Sequence, residues 1–277
     1  MSDTQRAIEE VQSGATRMET PCGEGRLVWH RWGKGPDVLL LHGGSGSWLH
    51  WLRTVLPLAE RFAVWTPDLP GMGESAPPPE PPHFDTYCAT VLEGFRKLRP
   101  GDAPVDLAGF SFGASIAVRL AAGLPTRHLV LSGANFIAMT ARPRRDLISL
   151  RRAPDEAERA RALRHNLRTM MIAHDENVDE LALKLYDIDT RRRRLQRTAI
   201  NNLGILRAEI PSVALAGELR AIAGADDQVI GHAPSVQAAA LAELRPGAAY
   251  EAIPGAGHWV MHEGADAYNR ALLSQLK

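Results

Sequence analysis

Cysteine is almost absent: Cys22 and Cys88 are the only two in 277 residues, and they lie 66 positions apart. With no CxxC pair and no Cys/His cluster, neither a disulfide framework nor a zinc site is encoded, and a reducing compartment is the expected setting. Charge of one sign is not in excess either, because 32 basic residues balance 32 acidic ones, which argues against polyanion binding driven by net charge. No apolar run approaches the roughly 18 residues of a membrane span. The start of the chain is polar, carries Asp3, Arg6, Glu9 and Glu10, and lacks the apolar centre of a secretory signal, so a cytoplasmic protein is expected. What the composition does supply is 45% hydrophobic residues, enough for a sizeable core in one or two domains.

Short apolar runs alternate with longer helical patterns from Arg26 to about Ser132. This βαβα rhythm implies an α/β fold with a mostly parallel sheet covered by helices. Strands are expected at residues 38–41, 62–65, 105–108 and 128–131, with helices over 84–98 and 111–123. Prolines 77, 78, 79, 81 and 82 fix φ and remove donors, so that stretch reads as a connector. Residues 134–209 are helical in pattern. There, Pro154, Asp155, Glu156 and Glu158 mark one helix start, and Asn177 is the expected cap of another. Strands return at 219–223 and 250–253, and a closing helix is expected over 264–276. The resulting division is a core of residues 1–133 and 210–277 interrupted by a helical insertion, 134–209.

The strongest chemical signal is Gly109-Phe110-Ser111-Phe112-Gly113, which follows an apolar strand and opens a helix. This G-x-S-x-G pattern holds a serine in a tight strand-to-helix turn, where the helix N-terminus aims backbone donors at a developing oxyanion. A serine hydroxyl is a weak nucleophile unless a base takes its proton and a third group holds that base. His258, in Gly255-Ala256-Gly257-His258-Trp259 just after a strand, is the candidate base. Asp226 and Asp227, following the strand at 219–223, both suit the orienting carboxylate. Trp48, Trp51, Phe110, Phe112 and Trp259 flank these segments, and an apolar pocket walled by Trp48, Phe110 and Trp259 is expected.

From Arg26 onward the chain resembles the α/β-hydrolases, whose nucleophile, acid and histidine follow one another in the order Ser111, Asp227, His258. In that family the acid stands three residues after a glycine, which through Gly224 favours Asp227 over Asp226. The resemblance extends to His42-Gly43-Gly44-Ser45-Gly46, implying an oxyanion hole built from Gly44, or Gly43, and Phe112. It also covers Asp68-Leu69-Pro70-Gly71-Met72-Gly73-Glu74-Ser75, a structural turn in which Asp68 is expected to bond the loop backbone.

Residues 134–209 correspond to the family's cap. Between residues 141 and 209, 15 Arg and one Lys stand against 11 Asp and Glu, leaving the cap at +5 and the rest of the chain at −5. The run 191–194 reads first as a solvated helix face, and more sharply as an anion-attracting cap edge.

The resemblance implies a serine hydrolase that forms an acyl-enzyme, with carboxylic esters or related acyl compounds as first expectation. A carbon–carbon hydrolase of 2-hydroxy-6-oxo-dienoates, whose carboxylate-binding arginine falls near Lys184-Leu185-Tyr186 with Arg191 nearby, is an alternative. A ligand-binding receptor with slow hydrolysis is another. No metal or organic cofactor is required. The expected partner is a small-molecule acyl or keto-acid substrate, neither nucleic acid nor membrane, and a homo-oligomer stays open.

Overall fold

The computed structural model describes residues 2–80, 82–137, 146–195 and 200–276. In chain order these form α1 (Asp3–Ser13), β1 (Thr16–Cys22), β2 (Gly25–Trp32), β3 (Asp37–Leu41), α2 (Leu52–Ala59), β4 (Ala63–Pro67), α3 (Phe84–Leu98), β5 (Val105–Phe110), α4 (Phe112–Ala121) and β6 (Thr126–Ser132). There follow α5 (Glu156–Met170), α6 (Glu180–Arg192), α7 (Ile205–Glu209), β7 (Leu219–Gly224), α8 (Pro234–Leu244), β8 (Ala249–Ile253), α9 (Val260–Glu263) and α10 (Ala265–Gln275).

The eight strands form one sheet in the order β1-β2-β4-β3-β5-β6-β7-β8. The β1–β2 and β2–β4 pairs are antiparallel and every other pair is parallel. Central strands are apolar on both faces because helices cover both. Successive side chains of β3 show this: Leu39 and Leu41 enter one core cluster with α3 and α4, while Val38 and Leu40 enter the other with α2 and α10.

After β3 the chain turns one way to β4 and later the other way to β5. The carboxyl ends of β3 and β5 therefore bound the crevice at which an open parallel sheet gathers its functional loops.

Between β6 and β7 the described residues contain helices and no strand, as the sequence pattern suggests. Residues 138–145 and 196–199 of the expected cap, and Pro81 of the proline run, lie outside the described residues. Asp155 caps α5 by accepting from the Glu158 N–H at 2.8 Å. The expected cap at Asn177 is displaced to Asp179, whose side chain accepts from the Ala182 N–H at 2.7 Å. An aspartate followed by a helical turn satisfies an orphan N–H directly. The Asn177 amide instead turns to Glu263. The sequence pattern, followed from Arg26, names no element at α1, β1, β2, α2, α8 or α9.

Candidate active site

Ser111 sits between β5 and α4 with φ 52° and ψ −109°, and only it and Ser45 combine a side chain with positive φ among the described residues. Strain of this kind persists only where surrounding structure enforces it. Here the Ser111 N–H is held by the Ser132 carbonyl at 2.8 Å, and the turn is pressed against the end of β3. A Cβ on Gly113 would stand 2.2 Å from the Leu41 carbonyl oxygen, which is why that position of the motif is glycine.

The turn brings Ser111 Oγ to 3.0 Å from His258 Nε2, and His258 Nδ1 to 2.7 Å from Asp227 Oδ2. The other carboxylate oxygen of Asp227 accepts from the Val229 and Ile230 N–H groups at 2.8 and 3.1 Å. Burial would push the Asp227 carboxyl up, but the His258 charge and hydrogen bond, with those two N–H groups, outweigh it and hold the pKa below the usual carboxylate range. Asp226 faces elsewhere, toward His174 Nε2 at 3.0 Å. Gly224 supplies the close approach behind this arrangement: a Cβ there would lie 2.1 Å from the Ala256 and Gly257 carbonyl oxygens.

Of the two glycines following His42, Gly43 has its N–H committed to His50 Nδ1 at 3.2 Å. Gly44 is the one that reaches the nucleophile turn, where a Cβ on it would stand 3.7 Å from Phe112 Cβ. Phe112 opens α4, so its N–H has no partner within the helix. Beneath this loop His42 accepts the Leu69 N–H on Nε2 at 2.8 Å, and its Nδ1 meets the Gly43 carbonyl at 2.8 Å. Burial lowers its pKa to about 4, and the Gly43 contact only partly opposes that.

Two residues of this loop's support escaped sequence reasoning. Asp189, on α6, accepts from Ser47 Oγ at 2.5 Å, while its second oxygen lies 3.8 Å from His50 Nε2 and has no hydrogen-bond partner. Burial drives the Asp189 pKa well up and the His50 pKa well down, which favours the neutral form of each. Asp68 behaves as expected, with Oδ1 accepting the Trp48 N–H at 2.9 Å and Oδ2 the Glu74 N–H at 2.8 Å.

The aromatic positions depart from expectation. Trp48, Phe110 and Trp259 are 2%, 1% and 1% exposed, and their contacts are those of core residues. Phe110 backs the His258 ring at 4.9 Å, Trp259 stacks on His262 at 4.4 Å, and Trp48 packs on Trp32 at 5.3 Å. The shallow surface depression beside His258 is lined by none of the three but by residues 168–173, Asp226, Gln228 and Gly257.

The arginine run is exposed, and its members are also paired: Arg191 with Asp187 and Glu156, and Arg192 with Glu74. Arg193 donates to Ser45 Oγ at 3.0 Å, and Arg194 to the Gly73 carbonyl at 3.1 Å. Among the described residues, no cluster of three metal-ligating side chains occurs and no helix is long and apolar enough to cross a membrane.

A sequence profile of the Alpha/beta hydrolase family matches residues 38–271. The chain is 27% identical, over 96% of its length and 72% of the relative's, to the dihydrolipoyllysine-residue acetyltransferase component of the acetoin cleaving system of Pseudomonas putida. It is 35% identical to the pimeloyl-[acyl-carrier protein] methyl ester esterase of Vibrio parahaemolyticus, over 36% of this chain and 37% of that one. A carboxylesterase structure from Bacillus subtilis superposes with a TM-score of 0.74, covering 99% of this chain and 96% of that one at 17% identity. At that identity the likeness speaks for the fold alone.

Proposed function

This chain belongs to the Alpha/beta hydrolase family, and from that premise we propose that it hydrolyses carboxylic esters or related acyl compounds through a serine-bound acyl intermediate. The observation that carries the reading is the continuous hydrogen-bonded chain from Ser111 Oγ through His258 to Asp227.

Ser111 Oγ attacks the substrate carbonyl carbon as its proton passes to His258 Nε2. Asp227 keeps the Nδ1 proton directed at itself and stabilises the imidazolium that forms. The carbonyl oxygen, now negative, is received by the Gly44 and Phe112 N–H groups, with the positive end of α4 behind them. Collapse expels the alcohol, protonated from His258, and leaves Ser111 acylated. Water activated by the same imidazole then releases the acid and restores the serine.

The esterase relative supports the acyl-ester class, although it matches over little more than a third of each chain. For the carbon–carbon alternative, Arg191, the arginine nearest the position that would meet a substrate carboxylate, is paired with Asp187 and Glu156.

Intact-mass measurement after exposure to a fluorophosphonate tests the reading. One adduct per chain is expected on the wild type and none on Ser111→Ala, together with turnover of short-chain p-nitrophenyl esters by the wild type alone. A folded wild type that stays unlabelled and inactive across an acyl-chain series would refute it.

A further inference from the structure

One carboxylate next to the site has no part in the steps above and yet accepts four hydrogen bonds. Glu263, the last residue of α9, takes the Gly257 N–H at 2.7 Å and the Ala173 N–H at 2.8 Å on Oε2. On Oε1 it takes the His174 N–H at 3.0 Å and the Asn177 side-chain amide at 2.9 Å. Gly257 is the residue immediately before His258, and residues 173–177 belong to the connector between α5 and α6. On the other side of His258, the Trp259 N–H donates to the Met171 carbonyl at 2.7 Å. Both chain neighbours of the histidine are thus bonded to the helical insertion, one directly and one through Glu263.

The approach is close as well as polar. A Cβ on Gly257 would stand 2.6 Å from the Ala173 nitrogen and 3.1 Å from Glu263 Oε2. Three backbone segments meet here around one side chain, and the carboxylate satisfies N–H groups that would otherwise be left without acceptors.

We propose that Glu263 is a positioning residue for His258: it fixes the backbone ahead of the histidine at the height where Nε2 meets Ser111 Oγ, and couples that height to the α5–α6 connector. The inference rests on the reading of His258 as the general base. A hydrogen bond between nucleophile and base is sensitive to displacement, since about 1 Å of misplacement costs on the order of 100-fold in rate. Glu263→Gln turns one oxygen into a donor facing N–H donors, so at least one backbone N–H loses its acceptor whichever way the amide lies. Glu263→Asp keeps both acceptors on a shorter stem.

The experiment compares full-length wild type, Glu263→Gln, Glu263→Asp and Ser111→Ala. Competent sites are titrated with a fluorophosphonate, and kcat per titrated site and KM are measured with p-nitrophenyl butyrate. Urea midpoints are recorded in parallel. The expected result for Glu263→Gln is a fall in kcat per titrated site of more than about fivefold with KM changed by less than about threefold, and partial recovery in Glu263→Asp. A smaller fall per titrated site overturns the inference even if the variant is less stable, because a purely structural role lowers the number of competent sites and not their turnover. If Glu263→Gln shows no cooperative unfolding transition, Glu263→Asp decides: kcat per titrated site reduced by more than about twofold supports the role, and a smaller change overturns it. Label that persists in Ser111→Ala refutes the Ser111 reading and this inference with it. Label lost there, with unchanged turnover in the Glu263 variants, refutes this inference alone.

Discussion

Replacing His30 by leucine should stabilise the protein, and should do so far more in mild acid than at neutral pH. His30 lies on β2, 1% exposed, between the Trp32 ring at 5.8 Å and the Trp48 ring at 5.5 Å. Neither of its ring nitrogens has a hydrogen-bond partner. Burial pushes its pKa down from 6.5 to about 4, with Glu74 opposing weakly. The unfolded chain therefore takes up this proton first as pH falls. The stability linked to His30 is complete above the unfolded value and drains away until the folded value is reached. Between pH 7.5 and 4.5 the linkage relation assigns a loss of about 2.5 kcal/mol to this one side chain. Leucine has a similar volume and no nitrogen to desolvate. Removing an unpaired buried polar group gains about 1–3 kcal/mol, offset by roughly 1 kcal/mol of lost ring contacts. The variant should thus be more stable by about 1 kcal/mol at pH 7.5 and about 3.5 kcal/mol at pH 4.5.

Urea unfolding of both proteins at the two pH values measures this directly. His42, also pushed down to about 4, and Asp68, pushed up to about 6 by burial, are common to both proteins and cancel in the difference. A stability difference that is the same at both pH values would refute the reasoning. The variant also has a use in kinetics. It holds the fold together while pH falls, so that loss of turnover in acid can be read apart from unfolding.

The choice of acid is open to a paired test. Asp227→Asn keeps the shape but disturbs the tautomer of His258, and should lower kcat by about 10⁴-fold, whereas Asp226→Asn, which loses only an exposed contact to His174, should stay within about threefold of wild type by the same p-nitrophenyl ester assay. Gly113→Ala puts a methyl group 2.2 Å from the Leu41 carbonyl oxygen and 2.5 Å from that of His42, both backbone atoms that cannot swing aside. It should cost on the order of 2–4 kcal/mol in urea unfolding and abolish fluorophosphonate labelling, and a variant labelled at the wild-type rate would contradict the packing argument.

The serine turn and the histidine turn were legible because each depends on local rules: a glycine-flanked residue between strand and helix, and a loop after a strand. The parallel core was legible for the same reason, since strands buried on both faces read as continuous apolar runs. β1 was not, because it is an edge strand with an alternating and mostly exposed pattern, Pro21 included, whose only pairing is antiparallel to β2. α1 buries just Ile8 and Val11 and, Ala7 apart, is otherwise polar. The aromatic wall failed because flanking in sequence is not facing in space: Trp48 and Trp259 begin turns whose rings fold back into the core.

The residues that sequence reasoning missed share a different property, which is that their partners are remote. Ser47 and Asp189 are 142 positions apart, and Glu263 and Ala173 are 90 apart. Each of these contacts joins the insertion to a loop at the end of a strand: Asp189 and Arg193 to the loop after β3, His174 to the loop after β7, and the 171–177 connector to the turn after β8. Backbone N–H groups at strand ends have no ladder partner and need an acceptor from somewhere. At the turn after β8 the Met171 carbonyl of the insertion supplies it to the Trp259 N–H, and Glu263 of the helix after His258 supplies it to the Gly257 N–H. The insertion is therefore bonded to the turns after β3, β7 and β8, and its placement bears on the distances within the site.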